Sequence, residues 1–261
     1  MYPDTLNLHG ERGNILALRR YGEKLGLNVK VDRIDLGTRN FDPMNYDILF
    51  FAAGEISSFE AVIDHIGTYT TSLAVYIASG KILLATGTTA AMFGDKIERI
   101  SPLSKSIPVS KPDLKDPDPV YGLSIIPVKA KERELVYGND LYIQAEFDGM
   151  SMELIGNQIT MADLEFKESH GFRRFGTVVY GRGNNGEDSI EGVVHNNAVF
   201  TNMIGPMLVG NPWLAVQMLK AAAKLKGGEI TAPDPDYSIE LKSFPLKKEF
   251  ISQKMKQKAK K

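Results

Sequence analysis

The stretch Lys81-Ile-Leu-Leu-Ala-Thr-Gly-Thr-Thr-Ala-Ala-Met-Phe-Gly94 has the layout of a nucleophile elbow. An apolar strand runs into a turn of small residues and a helix begins at once, which lifts one side chain above a parallel sheet. The residue at that turn is Gly87, which has no side chain, and the chain contains no cysteine. Thiolate catalysis, thiolate metal sites and disulfides are excluded together. Thr86, Thr88 and Thr89 flank the turn, and a threonine becomes a nucleophile only beside a base. The four histidines are His9, His65, His170 and His195, and none adjoins the turn in sequence. The threonines are therefore expected to satisfy backbone groups where the helix starts, with Thr88 the alternative nucleophile.

Other chemistry-bearing patterns are weaker. Gly181-Arg-Gly-Asn-Asn-Gly186 matches the dinucleotide-binding G-x-G-x-x-G spacing and follows a strand. That site also needs a helix next and an acidic residue about 20 positions on. Here Glu187–Gly192 leads into another strand, so a hairpin turn is expected instead. Asp113, Asp116, Asp118, Glu132 and Glu134 lack metal-ligand spacing and read as a solvated loop. Asp4, Glu11 and Arg12 read as a polar surface near the strand ends or as loop hydrogen-bonding groups. No metal and no cofactor is implied.

The elements that position these residues follow a βα alternation. Asn14–Leu25 carries apolar residues at helical spacing, with Gly26 as a stop. Val29–Leu36 alternates like a strand. Ile48–Ala53 and Ile82–Thr86 are unbroken apolar runs, the mark of strands buried on both faces. Ser57–Ala78 between them reads as one long helix. Strands alternating with helices imply a parallel, doubly wound α/β sheet. Ser101–Tyr121 is rich in proline, lysine and serine and reads as a linker. The second half is strand-rich: Leu123–Val128, Leu141–Phe147, Met152–Ile155, Gly176–Tyr180, Gly192–His195 and Ala198–Met203. Asn211-Pro212 then starts a helix over Trp213–Leu225. The expected organisation is one domain over residues 1–240 and a lysine-rich, solvated and frayed tail over 241–261.

Composition is that of a globular protein able to bury a sizeable core, with 43% hydrophobic and 24% charged residues in 261. A net charge of −1 gives no general attraction to nucleic acid. No apolar run reaches the roughly 20 residues of a membrane span. A cytoplasmic protein is the default expectation.

Several stretches, in order, resemble one family. Tyr2-Pro-Asp-Thr-Leu-Asn-Leu-His-Gly-Glu-Arg-Gly-Asn14, the Gly183-Asn-Asn turn with Glu191-Gly192 after it, and Gly205-Pro206 are similar to motifs of the cobyric-acid-synthase-type (CobB/CobQ-like) class I glutamine amidotransferases. Within these the likeness is nearest to the glutaminase subunits of lipid II isoglutaminyl synthases. The resemblance implies a flavodoxin-like sandwich. It implies an elbow cysteine that attacks the glutamine amide, a histidine base, and a partner synthetase resembling a Mur ligase. The ammonia released would amidate the peptidoglycan stem peptide.

Carried over residue by residue, the motifs depart from that pattern at the chemistry. The nucleophile position is Gly87 and the base position, just before Gly205-Pro206, is Ile204. The oxyanion segment reads Ala52-Ala53-Gly54-Glu55, and the Glu-Asn-His segment reads Asn157-Gln158-Ile159. A substrate arginine is replaced by Leu135 or Val136. His9 stands where tyrosine is usual, and His195 lies nine residues before Ile204. The expectation is a pseudo-glutaminase whose remnant pocket comprises Ala53, Gly54, Thr86, Gly87, Thr88 and Gly205. It would act as a binding or scaffolding subunit in a hetero-oligomer. The alternative is an active glutamine-hydrolysing subunit of lipid II amidation that uses non-standard residues or groups lent by its partner. Met1 directly precedes the Tyr2-Pro-Asp segment, where the resembled family has a strand. Either the chain starts further upstream or the sheet lacks that strand and a partner covers the gap.

Overall fold

The two unbroken apolar runs pair with each other. β1 (Ile48–Phe51) and β2 (Ile82–Thr86) lie parallel, Ile48 beside Ile82 and Phe51 beside Ala85. β2 is buried at every residue, as a strand covered on both faces must be. The computed structural model describes residues 1–100 and 117–258. Residues 101–116 of the expected linker, with Asp113 and Asp116, lie outside the described residues. Beyond β2 the sheet continues with β10 (Ala198–Thr201), parallel to it, and β9 (Val193–His195), antiparallel to β10.

Helices flank this sheet: α1 (Arg12–Lys24), α2 (Phe59–Ile66), α3 (Thr70–Ala78), the single turn α4 (Met207–Gly210) and α5 (Pro212–Leu225). α1 packs against α5, and the buried faces carry Ala17, Leu18 and Tyr21 on one and Leu214, Met218 and Leu219 on the other. The architecture is α/β with a parallel sheet between helices, consistent with the flavodoxin-like class I amidotransferase fold.

The strand-rich half forms a second sheet around one long hairpin, β5 (Val128–Phe147) and β6 (Met150–Phe166). Its turn, Asp148-Gly149, has both residues at positive φ, the requirement of a tight hairpin turn that suits strand twist. β3 (Lys96–Glu98) runs parallel to β5 and carries β4 (Val120–Tyr121) antiparallel on its far side. β7 (Gly176–Tyr180) pairs with β5 and with β8 (Ile190–Glu191), both antiparallel. The Gly181–Gly186 stretch is therefore a hairpin connection, as its sequence context requires. β11 (Met203–Ile204) joins the far edge against β6. Between Thr201 and Met203 the chain thus crosses from one sheet to the other.

Four expectations are corrected. Val29–Leu36 is extended but is not a strand, because no neighbour on either side gives it a complete ladder. The long helix over Ser57–Ala78 is broken by a 3-10 turn at Gly67–Tyr69. Glycine is a poor helix former, and the Thr68 and Thr70 hydroxyls donate back to the carbonyls of His65 (2.9 Å) and Gly67 (2.8 Å). Leu123–Val128 makes no strand up to Val128, since its amides bond to the turn after β2: Leu123 N–H to Met92 O and Ile125 N–H to Phe93 O, each 2.9 Å. The expected solvated, frayed tail is not seen over the described residues 241–258, because α6 (Ser238–Lys258) is helical and docks on the second sheet.

Lysine, glutamate and glutamine are good helix formers, and α6 has one buried anchor, Ile251. Phe244 meets Trp213 edge-on at 5.2 Å. Lys248 bonds Glu153 at 2.7 Å and Lys254 bonds Asp140 at 2.6 Å. Surface ion pairs contribute little, so Ile251 should hold the helix down. Ile251→Ala is expected to cost roughly 2–4 kcal/mol. Amide exchange should then accelerate across α6 while β5 and β6 stay protected; equal acceleration everywhere would refute this anchor.

Candidate functional site

Gly87 directly follows β2 and opens a 3-10 turn with φ at +61°, a left-handed conformation that disfavours every residue with a Cβ. A sharp turn of this kind is what a nucleophile elbow imposes. A Cβ at Gly87 would lie 2.8 Å from Ala53 Cβ and 2.8 Å from Ile204 Cγ2. The fold therefore brings Ala53, Gly87 and Ile204 together from three separate stretches, and all three are buried. The space a side chain at the turn would occupy is taken by two methyl groups. A groove of about 330 Å³ near α6, which Asn157, Gly205 and Lys247 help to line, does not include Gly87 in its walls. Gly54 is equally constrained, since a Cβ there would meet Leu6 Cδ2 at 2.3 Å. Leu6 belongs to the opening segment, which is tied down by Leu8 N–H donating to Ala53 O at 3.0 Å.

Beneath the turn sits a buried carboxylate. Glu11 Oε2 accepts from Thr86 Oγ1 at 2.6 Å and from Asn14 Nδ2 at 3.0 Å, and Oε1 accepts from Gly205 N–H at 2.6 Å. Asn14 Oδ1 in turn accepts from Leu208 N–H at 2.9 Å. One side chain thus joins the opening loop, the end of β2 and the turn after β11. Burial pushes its pKa above the ordinary 4.5, with the three hydrogen bonds pulling the other way. Neither sequence expectation for Glu11, a polar surface or hydrogen bonding within its loop, describes it: it is buried, and its partners lie on β2, α1 and the turn after β11. Its signal was its position between Gly10 and Asn14 in a segment of turn-forming residues.

The remaining site residues divide clearly. Asn157 pairs with Ile204 across β6 and β11, so the stretch Asn157-Gln158-Ile159 does reach the site. Gln158 is buried and grips Gly183 at both its N–H (3.1 Å) and its C=O (2.7 Å). Asn184 bonds the N–H and C=O of Gly192, and buried Glu191 accepts from the Thr201 hydroxyl and from Asn202 N–H (3.0 Å) and Nδ2 (2.9 Å). The Gly183-Asn-Asn turn therefore fixes the sheet crossing that delivers Ile204. Leu135 and Val136 are exposed at an irregularity in β5.

Several of the hydroxyls and imidazoles have partners of their own. Thr89 donates to Ala52 O at 2.8 Å, and Thr88 is buried beside the turn. His65 bonds Tyr2 OH (2.8 Å) and Thr38 O (2.7 Å), and His195 stacks on Phe172 with ring centres 4.3 Å apart. The side chains nearest the Cβ position of Gly87, those of Ala53 and Ile204, are apolar, and the ionisable group bonded next to the turn is Glu11, held by Thr86 and Gly205. Among the described residues no cluster of three or more histidine, aspartate or glutamate side chains could hold a metal ion. No helix there is long and apolar enough to cross a membrane.

No protein-family model matches the chain. Two characterised proteins are similar to it along most of its length. The lipid II isoglutaminyl synthase (glutamine-hydrolyzing) subunit GatD of Streptococcus pneumoniae is 28% identical, covering 88% of this chain and 81% of its own. The protein of the same name from Staphylococcus aureus is 25% identical over 92% of this chain and 89% of its own.

Two measurements probe this packing. Gly87→Ala should lose roughly 2–4 kcal/mol, combining left-handed strain with overpacking. The loss should shrink when Ile204→Ala, which removes the Cγ2 methyl, is also made, and strictly additive losses in that double-mutant cycle would contradict the contact. Glu11, with its raised pKa, favours folding fully below about pH 4.5, and that contribution fades as pH rises through its folded pKa. Glu11→Gln should be less stable, by roughly 1–3 kcal/mol from mispaired donors. Its unfolding free energy should also lack this part of the decline above pH 4.5, and parallel pH profiles for the two proteins would argue against it.

Proposed function

We propose that this chain is a glutaminase-like subunit of peptidoglycan (lipid II) amidation that does not itself hydrolyse glutamine. The names of its two similar proteins support the setting, since both are subunits of a glutamine-hydrolyzing lipid II isoglutaminyl synthase. The observation that carries the reading is the contact of Gly87 with Ala53 and Ile204. In this reading Gly87 holds the nucleophile position, Ile204 the base position, and Ala53-Gly54 the oxyanion segment. Acyl transfer from a glutamine amide needs a nucleophile, a group to take its proton and donors for the oxyanion. A turn filled by methyl groups supplies neither of the first two. The hydroxyl–carboxylate pair next to the turn, Thr86 with Glu11, is tied into a buried network with Asn14 and the Gly205 N–H, which counts against relocated chemistry.

What remains is a body that can bind. Residues 1–240 form the amidotransferase-like unit in this proposal, and its partner is a synthetase resembling a Mur ligase. The interface is of ordinary size, roughly 1,200–2,000 Å² in total.

Purified protein, alone or with its co-purified partner, should release no glutamate from glutamine above background. Gly87→Cys should not restore turnover, because no base would form the thiolate. Affinity capture from the native host followed by mass spectrometry should recover a ligase-type protein. Genuine turnover by the unmodified chain would end the non-catalytic reading, and a solitary monomer in the host would end the scaffolding one.

A further inference from the structure

A groove of about 330 Å³ runs between α6 and the turn that follows β11. Ile155, Met207 and Ile251 form its buried apolar lining. Its rim is apolar and open to solvent: Ile239 and Phe250 of α6 are 73% and 53% exposed, and Val209 of α4 is 46% exposed. Leu246, 68% exposed, extends the rim, because positions 239, 246 and 250 share one flank of a helix. Three charged side chains line the groove. Asp140 is paired with Lys254 at 2.6 Å, and Glu240 accepts from the Tyr21 hydroxyl at 3.1 Å. Lys247 has no acidic partner among the described residues, and its ammonium lies 3.6 Å from where a Cβ would stand on Gly210. The groove therefore holds one uncommitted positive charge between apolar walls.

We propose that this groove docks one acidic, amphipathic helix of a partner protein, with its apolar stripe on Ile239, Leu246 and Phe250 and a carboxylate on Lys247. Residues 239–250 span about 17 Å at 1.5 Å per residue, which matches about three turns of the partner helix. Charge selects the partner. α6 carries six lysines and two glutamates, and among the described residues Lys247, Lys256 and Lys258 are in no ion pair. A second copy of this chain would bring two such helices together, lysine against lysine, which opposes self-association. Shape selects against a bilayer. The line of α6 turned away from its anchor Ile251 holds Lys242, Glu249, Gln253 and Lys256, all exposed. A flat surface would meet those polar groups, while the apolar ones stand over the groove. The groove is also walled by Gly205, whose N–H Glu11 holds, and by Asn157, which pairs with Ile204. A docked helix would thus abut the turn that carries Ile204. This docking site rests on the scaffolding reading for there being a partner, and not on the chemistry at Gly87.

The test measures, by fluorescence anisotropy, binding of labelled acetyl-Glu-Leu-Ala-Glu-Glu-Leu-Ala-Glu-Glu-Phe-Ala-Glu-Glu-Leu-amide to the 261-residue chain. The control peptide has lysine for every glutamate. A net charge of −1 gives the protein no general pull on an acidic peptide. The acidic peptide should bind with a Kd below about 100 µM, and the basic one about tenfold more weakly. Lys247→Glu and Phe250→Ser should each weaken binding by about tenfold or more, whereas Lys247→Arg and Lys30→Glu should change it by about twofold at most. Amide exchange in α6 should be the same in all four; if Phe250→Ser loosens the helix, Leu246→Ser replaces it as the rim variant. The proposal is overturned if the acidic peptide does not reach that affinity, if the basic one binds as well, or if the groove variants bind like the parent chain. It is also overturned if those variants instead abolish dimerisation in sedimentation or pelleting with phosphatidylglycerol vesicles. Capture from the host separates the two readings: a ligase-type protein still recovered by the Phe250→Ser and Lys247→Glu chains sinks the groove alone, and none recovered by the parent chain sinks the scaffold.

Discussion

The carboxylate of Glu11 is the constraint on which the arrangement around Gly87 rests. It is buried and bonded at once to the end of β2, to the turn after β11 and to the start of α1. Breaking a buried carboxylate free of its donors is costly on both sides, because the donors are stranded as well. The opening segment therefore belongs to the centre of the molecule although it forms no strand. Its Tyr2 and Leu6 are fully buried for the same reason. Glu191 does the parallel task on the far side, where its bonds to Thr201 and Asn202 hold the crossing between the sheets. Two carboxylates thus set the positions of the strand ends, and the strands bring Ala53, Gly87 and Ile204 into contact.

The parts of this fold that could be read from sequence are those where one local pattern decides the outcome. Ile48–Phe51 and Ile82–Thr86 are too apolar to be anything but doubly buried strands, and Gly87 after them had to be a turn. The pairing of Gly87 with Ile204 could be read only through motif order, since 117 positions separate them. Where the outcome depends on a distant partner, pattern alone misled. Val29–Leu36 has a strand's alternation and lacks a strand's neighbours. Ser57–Ala78 has helical periodicity throughout, yet two threonine hydroxyls and a glycine divide it. The lysine-rich end looks solvated because its single anchor, Ile251, is one residue among many charges. Glu11 and Glu191 were hard to see for a simpler reason: a carboxylate is exposed by default, and only its donors, scattered over the chain, reverse that.

The second sheet gains its meaning from what it fixes. The β5–β6 hairpin presents Asn157 to Ile204, and Gln158 next to it holds the Gly183-Asn-Asn turn by the backbone. That turn reaches Gly192 and Asn202 through Asn184. A motif that resembles a phosphate-binding loop in letters is in fact a brace, with its polar groups directed inward at protein atoms.

The left-handed turn at Gly87 also limits the routes by which this sequence can change. Glycine is the residue least strained at φ +61°, so any replacement there begins uphill. The methyl groups of Ala53 and Ile204 add a second barrier, because they already fill the volume that a new side chain needs. A single substitution at position 87 meets both barriers at once, and one at position 204 alone merely opens a cavity. Order of mutation therefore matters more than identity: the neighbour has to shrink first, at a loss, before the turn can accept a side chain. Three residues far apart in the chain thus hold one another's volume, and change at the turn needs two substitutions in a fixed order.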